Sequence, residues 1–424
     1  MKQLEIIPTK NISGTVEIPG SKSYTNRALV IASMIKGSVV IKNPLESDDT
    51  RAMINCLKEL GIRVEERVGE INVVGDISEI EEKEYKLDAG LSGTTIRFML
   101  ALSCIIPGKK IINGEESLNK RPIGELAGAL KDLGAEIDYL GKRGYPPLVV
   151  SSSKLKNNRT RLHGDISSQF FSALLMISPI MMGGLEISVM GSQISKPYID
   201  MTLDLMSYFG VKVVNKNYKK YLVKSGQIYT KRNYIAEGDY SSAGYFLAIA
   251  ALTKSELILK NLNSDSKQAD KNFLKILEKF GSEICFEGEN LVIKGNGVKA
   301  LDVDMEDCPD QIQTMAVLLA FAAGKSTISG VRSLRIKETE RVLALQNELS
   351  KMGIRTESTI DTLTIYGGSP KPAEINTYND HRMAMSFAVA GIVLPGIIIN
   401  NPEVVTKTFP EFWKKINGIG VQTK

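Results

Sequence analysis

Apolar and polar positions along the chain follow one plan that recurs six times. Each repeat opens with a short strand-like run. It then passes through a turn rich in Ser, Thr or Asp and enters a helix that is apolar on nearly every side. The six helical segments read KSYTNRALVIASMIKG, SGTTIRFMLALSCIIPG, SSQFFSALLMISPIMMGG, SSAGYFLAIAALTKS, DQIQTMAVLLAFAAGKS and DHRMAMSFAVAGIVLPG. With Ser23, Ser92, Ser167, Ser241, Asp310 and Asp380 taken as the turn residues, successive spacings are 69, 75, 74, 69 and 70. Self-similarity at a near-constant period marks a repeat architecture. A helix without a polar face must be enclosed by its neighbours.

A second, amphipathic helix follows in each repeat. KNFLKILEKFG shows the pattern, with Phe273, Ile276, Leu277 and Phe280 on one face. These helices end at Gly61, Gly134, Gly210, Gly281 and Gly353, residues suited to a left-handed C-cap. A hairpin-like strand pair such as SEICFEGENLVIKG closes the repeat. The predicted fold class is therefore α/β, with two pseudo-symmetric domains of three βαβαββ units each, packed around buried parallel helices. The sixth repeat stops after its second helix and one short strand, at Gly418-Ile-Gly-Val. The run Leu4 to Pro8 is a spare strand, expected to complete the C-terminal-side domain. This predicts one domain from residues 1–16 with 236–424, another from 17–235, and two chain crossings near 14–20 and 232–238.

Composition narrows the class. At 43% hydrophobic and 24% charged residues, disorder and fibrous repeats are excluded. A net charge of +5 over 424 residues is too small for a nucleic-acid coat but leaves room for a local basic pocket. Cys56, Cys104, Cys285 and Cys308 form no C-x-x-C pair and read as buried free thiols in a reducing cytosol. The N-terminal residues lack signal-peptide character. The longest apolar stretch, Phe170 to Leu185, is interrupted by Pro179 and two glycines and is too short to span a bilayer. A soluble, cytoplasmic protein is expected. The only histidines are His163 and His381, and no cluster has metal-ligand spacing, so neither a zinc centre nor a Ser-His-Asp triad is expected. No glycine-rich dinucleotide or P-loop motif occurs.

The inner helices start where unsatisfied N–H groups and the positive end of the dipole attract anions. Near those starts lie Lys22, Arg27, Arg97, Arg121, Lys196, Lys337, Arg341, Arg382 and Lys407. A lone Lys or Arg is ordinarily a solvated surface charge. Recurrence at equivalent repeat positions points instead to a pocket for several phosphates or carboxylates. Ser23, Ser167, Ser168 and Ser195, with Gln169, recur beside these turns, either as helix caps or as ligand contacts. Asp310 and Glu338 sit among the cations, as ion-pair partners or as groups that move protons.

The chain resembles the 5-enolpyruvylshikimate-3-phosphate (EPSP) synthase family of 3-phosphoshikimate 1-carboxyvinyltransferases. The resemblance runs along the full chain. It is carried by PGSKSYTNRAL (19–29), SGTTIRF (92–98), KRPIGEL (120–126), GDISSQFFSALLM (164–176), SKPYIDMTLDLM (195–206), EGDYSSAGYFLA (237–248), RIKETERVLAL (335–345), YNDHRMAMSFAVAG (378–391) and KTFPEF (407–412). It implies an inside-out α/β barrel of two domains that close on substrate. It also implies enolpyruvyl transfer from phosphoenolpyruvate to the 5-hydroxyl of shikimate 3-phosphate, in the shikimate pathway to chorismate and the aromatic amino acids. No cofactor, no metal, no nucleic acid and no membrane is implied, and the chain is expected to act as a monomer.

Matching position by position, the resemblance implies that Lys22, Ser23, Arg27, Ser167, Ser168, Gln169, Ser195, Tyr198, Asp310, Ser333 and Lys337 contact shikimate 3-phosphate. Lys22, Gly93, Arg97, Arg121, Gln169, Arg341, Arg382 and Lys407 would contact phosphoenolpyruvate. Asp310 corresponds to the acceptor of the hydroxyl proton, and Glu338 and Lys22 to the groups that handle the proton at C3; His381 would lie behind them. Leu91 and Ser333 depart from the family pattern, where Asn is common at both positions. Inhibition by glyphosate is expected, since Gly93 leaves room beside the phosphoenolpyruvate contacts.

UDP-N-acetylglucosamine enolpyruvyl transferase shares this architecture. Its cysteine-bearing loop would fall near 110–120, where this chain reads KKIINGEESLN, and its lysine is followed by Asn-Ala rather than Ser-Tyr-Thr-Asn-Arg. An RNA-binding protein is disfavoured because aromatics are only 6% and do not alternate with the basic positions.

Overall fold

A computed structural model describes residues 2–10, 12–151 and 154–424. The chain divides into two compact units, Gly20–Ala236 and Met1–Pro19 with Glu237–Lys424. Each has its own hydrophobic core.

In the Gly20–Ala236 unit the helices are α1 (Lys22–Ser33), α2 (Asp48–Glu59), α3 (Gly93–Ser103), α4 (Glu116–Asn119), α5 (Gly124–Asp132), α6 (Ser168–Ile177) and α7 (Lys196–Tyr208). The inner helices are α1, α3 and α6, and every residue of α3 is buried. The amphipathic helices α2, α5 and α7 keep polar residues outward. In the other unit they are α8 (Tyr240–Thr253), α9 (Phe273–Phe280), α10 (Ile312–Ala320), α11 (Arg341–Lys351), α12 (His381–Val393) and α13 (Phe412–Gly418). Here α8, α10 and α12 are the inner helices, and α10 is wholly buried. Among the described residues no helix is long and apolar enough to cross a membrane.

Each repeat contributes a four-stranded sheet of one plan. Glu84–Asp88 runs parallel to Lys109–Asn113, the strand after the inner helix, and the hairpin Ile137–Tyr139 with Leu148–Val150 adds antiparallel strands. Two opening strands are exchanged along the chain. Ser13–Glu17 precedes α1 in sequence yet pairs in parallel with Glu256–Lys260. Asn233–Ile235 precedes α8 yet pairs in parallel with Gly37–Lys42. In the sixth sheet the N-terminal strand Gln3–Ile7 lies between Ile397–Asn400 and Gln422–Thr423, the place a hairpin strand takes elsewhere. Gly61, Gly134, Gly210, Gly281 and Gly353 all adopt positive φ, between 74° and 102°, where the surface helices end.

Ser23, Ser241 and Cys285 depart from the sequence expectation, and Asp310 takes the expected turn position ahead of its helix. Ser23 is inside α1, whose N-cap position is Ser21. Ser241 is inside α8. Asp239 caps that helix, and its carboxylate accepts from the Ser241 and Ser242 amides. Asp310 lies in a 3-10 turn, Pro309–Gln311, that Pro309 initiates before α10. Cys285 is exposed, because alternation along Glu283–Glu287 points it outward, whereas Cys56, Cys104 and Cys308 are buried.

Candidate active site

In the unit containing Glu237–Lys424, the starts of α11 and α12 gather a charge cluster. Arg341 opens α11 and Asp380 caps α12. Arg341 Nε donates to Asp380 Oδ2 at 2.7 Å and Nη2 to Glu338 Oε2 at 2.8 Å, while Nη1 reaches Asp310 Oδ1 at 3.4 Å. Arg382 Nη2 lies 2.8 Å from Asp310 Oδ2, and its Nη1 donates to the Asp310 carbonyl at 3.0 Å and the Tyr245 hydroxyl at 3.3 Å. Lys407 Nζ donates to Glu338 Oε1 at 2.9 Å. Asp310 and Glu338 are therefore each held between two cations. Burial opposes the charge on Arg341, but Asp380, Glu338 and Asp310 outweigh it and hold its pKa above the ordinary value. His381 is buried beside Asp380, with Nδ1 at 3.7 Å from Oδ1. Ser333 lies in the 3-10 segment Arg332–Ile336, and Lys337 follows it; both are half-buried just ahead of Glu338.

In the Gly20–Ala236 unit the starts of α1, α3 and α6 carry the expected residues. Lys22 Nζ lies 3.1 Å from Asp49 Oδ2, and Thr95 Oγ1 donates to the Asp49 carbonyl at 3.2 Å, tying α2 to α3. Arg97 Nη1 donates to Gln169 Oε1 at 2.5 Å, and its guanidinium sits 5.4 Å from the centroid of the Phe170 ring. A Cβ on Gly93 would lie 2.7 Å from Arg121 Nη1, so the missing side chain is what lets that guanidinium rest on the start of α3. Ser167 caps α6 by accepting from the Gln169 amide, and Ser168 is buried in its first turn. Leu91 is half-buried in the turn before α3.

Arg27 is set deeper. Its guanidinium donates to Thr202 Oγ1 at 2.8 Å, the Ser23 carbonyl at 2.9 Å, the Tyr198 carbonyl at 3.2 Å and Ser172 Oγ at 3.3 Å. Burial pushes its pKa down to about 10. The residue ties α1 to α6 and α7. Ser195, in the left-handed region at φ 51°, precedes α7, and Tyr198 lies in that helix's first turn. Lys196 stands 5.6 Å from the centroid of the Tyr218 ring.

Two carboxylates in these clusters carry no expectation from sequence. Asp49 is the partner of Lys22. Asp270 is 3% exposed and accepts from Ser241 Oγ at 2.7 Å. Burial raises its pKa to about 6; Asp310 and Asp239 push in the same direction, and Arg382 and the Ser241 hydroxyl oppose. The repeats themselves hold the missing signal. A residue at the start of an inner helix meets one at the start of the following surface helix in Lys22–Asp49, Ser241–Asp270 and Asp310–Arg341, pairs separated by 27, 29 and 31 residues. The Gly93–Arg121 approach, 28 residues apart, repeats the relation with a cation in place of the acid.

Comparison with known proteins agrees along the whole chain. A family profile described as EPSP synthase (3-phosphoshikimate 1-carboxyvinyltransferase) matches residues 6–416. A 3-phosphoshikimate 1-carboxyvinyltransferase of Shewanella sediminis is 39% identical over 422 residues, covering 98% of this chain and 99% of the relative. One from Sulfurovum sp. is 40% identical over 424 residues, covering 99% of each. A solved EPSP synthase structure from Acinetobacter baumannii superposes with a TM-score of 0.84 at 25% identity, covering 100% of both chains.

Proposed function

The chain belongs to the EPSP synthase family, and from that premise we propose how its own residues carry out enolpyruvyl transfer from phosphoenolpyruvate to shikimate 3-phosphate. The 5-hydroxyl of shikimate 3-phosphate adds to C2 of phosphoenolpyruvate as its proton leaves and another proton adds to C3. The tetrahedral adduct then loses phosphate from C2 and a proton from C3. The products are the enolpyruvyl ether and inorganic phosphate.

One observation carries the assignment of roles: Asp310 and Glu338 each lie between two cations. A substrate phosphate or carboxylate drawn to Arg341, Arg382 and Lys407 competes with Asp310 and Glu338 for the same N–H donors. As those donors turn to the substrate, the carboxylates lose the charges that hold their protons off and become better bases. On this reading Asp310 takes the hydroxyl proton, and Glu338 with Lys22 handles the proton at C3. Arg341, Arg382 and Lys407 hold phosphoenolpyruvate, as do Gly93, Arg97 and Arg121. Ser167, Ser168, Gln169, Ser195, Tyr198, Ser23, Arg27, Ser333 and Lys337 hold shikimate 3-phosphate, and Lys22 and Gln169 serve both substrates. Arg27 also fixes Ser23 and Tyr198 through their carbonyls, with four of its five N–H donors engaged inside the unit.

The reading extends to a monomer acting in the cytoplasm and inhibited by glyphosate. Inorganic phosphate released from phosphoenolpyruvate, dependent on added shikimate 3-phosphate, tests the activity. Asp310→Asn tests the assignment, because it preserves shape and removes basicity; turnover at the wild-type rate in that variant would overturn it.

A further inference from the structure

Tyr218 stands where the backbone favours glycine. It lies at the tip of the hairpin formed by Val213–Lys216 and Lys220–Val223. Asn217 and Tyr218 are both left-handed, at φ 52° and 56°, and the Lys219 amide closes the tip on the Lys216 carbonyl at 3.0 Å. A hairpin turn with two successive residues of this kind is ordinarily Asn-Gly. Asparagine suits the first place, but a bulky side chain at the second is strained. Strain of this kind persists only where the surroundings enforce it, and it gathers where residues serve a site. The surroundings here are α7. The Tyr218 hydroxyl lies 2.9 and 2.8 Å from the two carboxylate oxygens of Asp200, which share its proton. The ring is half-buried against the core of the Gly20–Ala236 unit, with its centroid 5.6 Å from Lys196 Nζ. The Tyr218 amide donates to Asn215 Oδ1 at 2.8 Å, which fixes the tip itself.

We propose that Tyr218 is a positioning residue for shikimate 3-phosphate: it braces the first turn of α7 through Lys196 and Asp200, and so fixes Ser195 and Tyr198 for the substrate. This rests on the contacts given above to those two residues. Lys196 and Asp200 are four positions apart and share one face of the helix, and Tyr218 meets both. Tyr198, two residues from each, belongs to the other side. Its carbonyl accepts from Arg27 Nη2 at 3.2 Å and from Thr202 Oγ1 at 3.1 Å, so the same turn is also held from α1. The start of α7 depends on such support. Ser195 is itself left-handed, at φ 51°, and gives α7 no side-chain cap, while Pro197 brings no N–H to the first turn. The order of this turn therefore comes from outside the helix. Glycine at position 218 would suit the hairpin and could make neither contact; tyrosine gives up backbone ease for a hold on α7.

The test compares wild type with Tyr218→Phe and Tyr218→Gly in steady-state kinetics, each substrate varied with the other saturating. Phenylalanine keeps the ring beside Lys196 and loses only the hydroxyl. Glycine loses both contacts but relieves the left-handed strain, so that variant is expected to unfold in urea near the wild-type midpoint. The KM for shikimate 3-phosphate is expected to rise about fivefold in Tyr218→Phe and further in Tyr218→Gly, with kcat and the KM for phosphoenolpyruvate within about twofold of wild type. Asp200→Asn still accepts from the hydroxyl and is expected to stay within about twofold of wild type in the same constant, whereas Asp200→Ala should match Tyr218→Phe. A KM for shikimate 3-phosphate that is unchanged in both Tyr218 variants, or raised no more than that for phosphoenolpyruvate, overturns the proposal. A purely structural tyrosine would move the urea midpoint and leave the ratio of the two constants in place. Calorimetric titration with shikimate 3-phosphate reads the same difference without turnover: weaker binding by Tyr218→Phe sustains the proposal and equal binding removes it. Absence of phosphate release by wild type would sink the proposed activity and leave this titration to decide. Absence of shikimate 3-phosphate binding by wild type would remove the contacts of Ser195 and Tyr198, and the proposal with them.

Discussion

Arg341 Nε donates to Asp380 Oδ2 across 2.7 Å, and the two side chains are 1% and 0% exposed. One residue opens α11 and the other caps α12, so a single buried ion pair fixes the start of one helix against the other. It thereby fixes Glu338, which Arg341 also holds, and Arg382, whose amide donates to Asp380 at 2.9 Å.

Removing the guanidinium leaves three carboxylates without their common donor. Arg341→Met is expected to destabilise the fold by about 3 kcal/mol, because an unpartnered buried charge costs more than the intact pair gains. Urea unfolding measures this. Arg341→Lys supplies one ammonium where a planar fork met Asp380, Glu338 and Asp310 together. It is expected to fold yet lose roughly a hundredfold or more in turnover. Near-wild-type turnover in the lysine variant would show that charge alone suffices.

Gly93→Ala tests the close approach of Arg121. A Cβ at this position would meet Arg121 Nη1 at 2.7 Å and Cζ at 3.0 Å. These atoms are the far end of a flexible side chain, so the guanidinium yields and the backbone stays. The variant is expected to fold with little loss of stability. The KM for phosphoenolpyruvate should rise severalfold, while that for shikimate 3-phosphate stays within about twofold. Equal rises in both constants would place Arg121 elsewhere in the chemistry.

The repeat plan was readable because its strongest feature is a contradiction of ordinary patterning: helices without a polar face must lie inside, and six of them at a near-constant spacing leave few architectures. Exact helix starts were not readable to the residue. Asp239 and Ser241 both have the chemistry of a cap, and only backbone geometry decides that Asp239 takes the role. Residue type alone predicts Cys285 buried, whereas strand alternation turns it outward. Asp270 is hidden in the sequence for another reason. An acid just before an amphipathic helix reads as an ordinary cap, and its meaning comes from Ser241, 29 residues away. Arg27 shows something residue type alone does not reveal: a cation near an inner-helix start also ties α1 to α6 and α7, through four of its five N–H donors.

Lys110 makes stability depend on pH in alkali. It is wholly buried, with Nζ donating to the carbonyls of Ile106 at 2.5 Å and Gly108 at 2.6 Å, beyond the end of α3. Burial pushes its pKa down to about 8, below the ordinary 10.5 of a lysine. Below about pH 8 folded and unfolded chains both hold the proton, and the full cost of burying the ammonium is present. Between about 8 and 10.5 the folded chain releases a proton that the unfolded chain keeps, so this group's contribution becomes more favourable as pH rises. The gain is about 1–3 kcal/mol. Lys110→Met removes the titration. The stability difference between wild type and variant, from urea midpoints at pH 7 and pH 10, is expected to move in favour of wild type at the higher pH; a constant difference would mean that the amine does not titrate in this range.

Tyr378 and Asn379 both occupy the left-handed region, at φ 54° and 55°, immediately before Asp380. Two successive residues of this kind cost about 1–3 kcal/mol each unless their surroundings enforce them, with asparagine at the low end. The enforcing group is Glu348, which lies on α11 two turns beyond Arg341. Its carboxylate is 0% exposed and accepts from the Tyr378 hydroxyl at 2.6 Å, the Asn376 amide at 3.0 Å and Lys351 Nζ at 2.7 Å. One helix therefore grips the 376–380 loop at both ends, through Glu348 at its start and Arg341 at Asp380. Tyr378→Phe deletes one of the three donors to Glu348 and keeps the ring. It is expected to cost about 1–2 kcal/mol of stability, as for a hydrogen bond to a charged group. Because the loop carries Asp380 and leads into Arg382, it is also expected to raise the KM for phosphoenolpyruvate severalfold. Chemical denaturation and steady-state kinetics on the same variant check both expectations. A loss of stability with KM unchanged would separate the loop from phosphoenolpyruvate binding, and no change in either would mean that the two left-handed residues hold without the tyrosine hydroxyl.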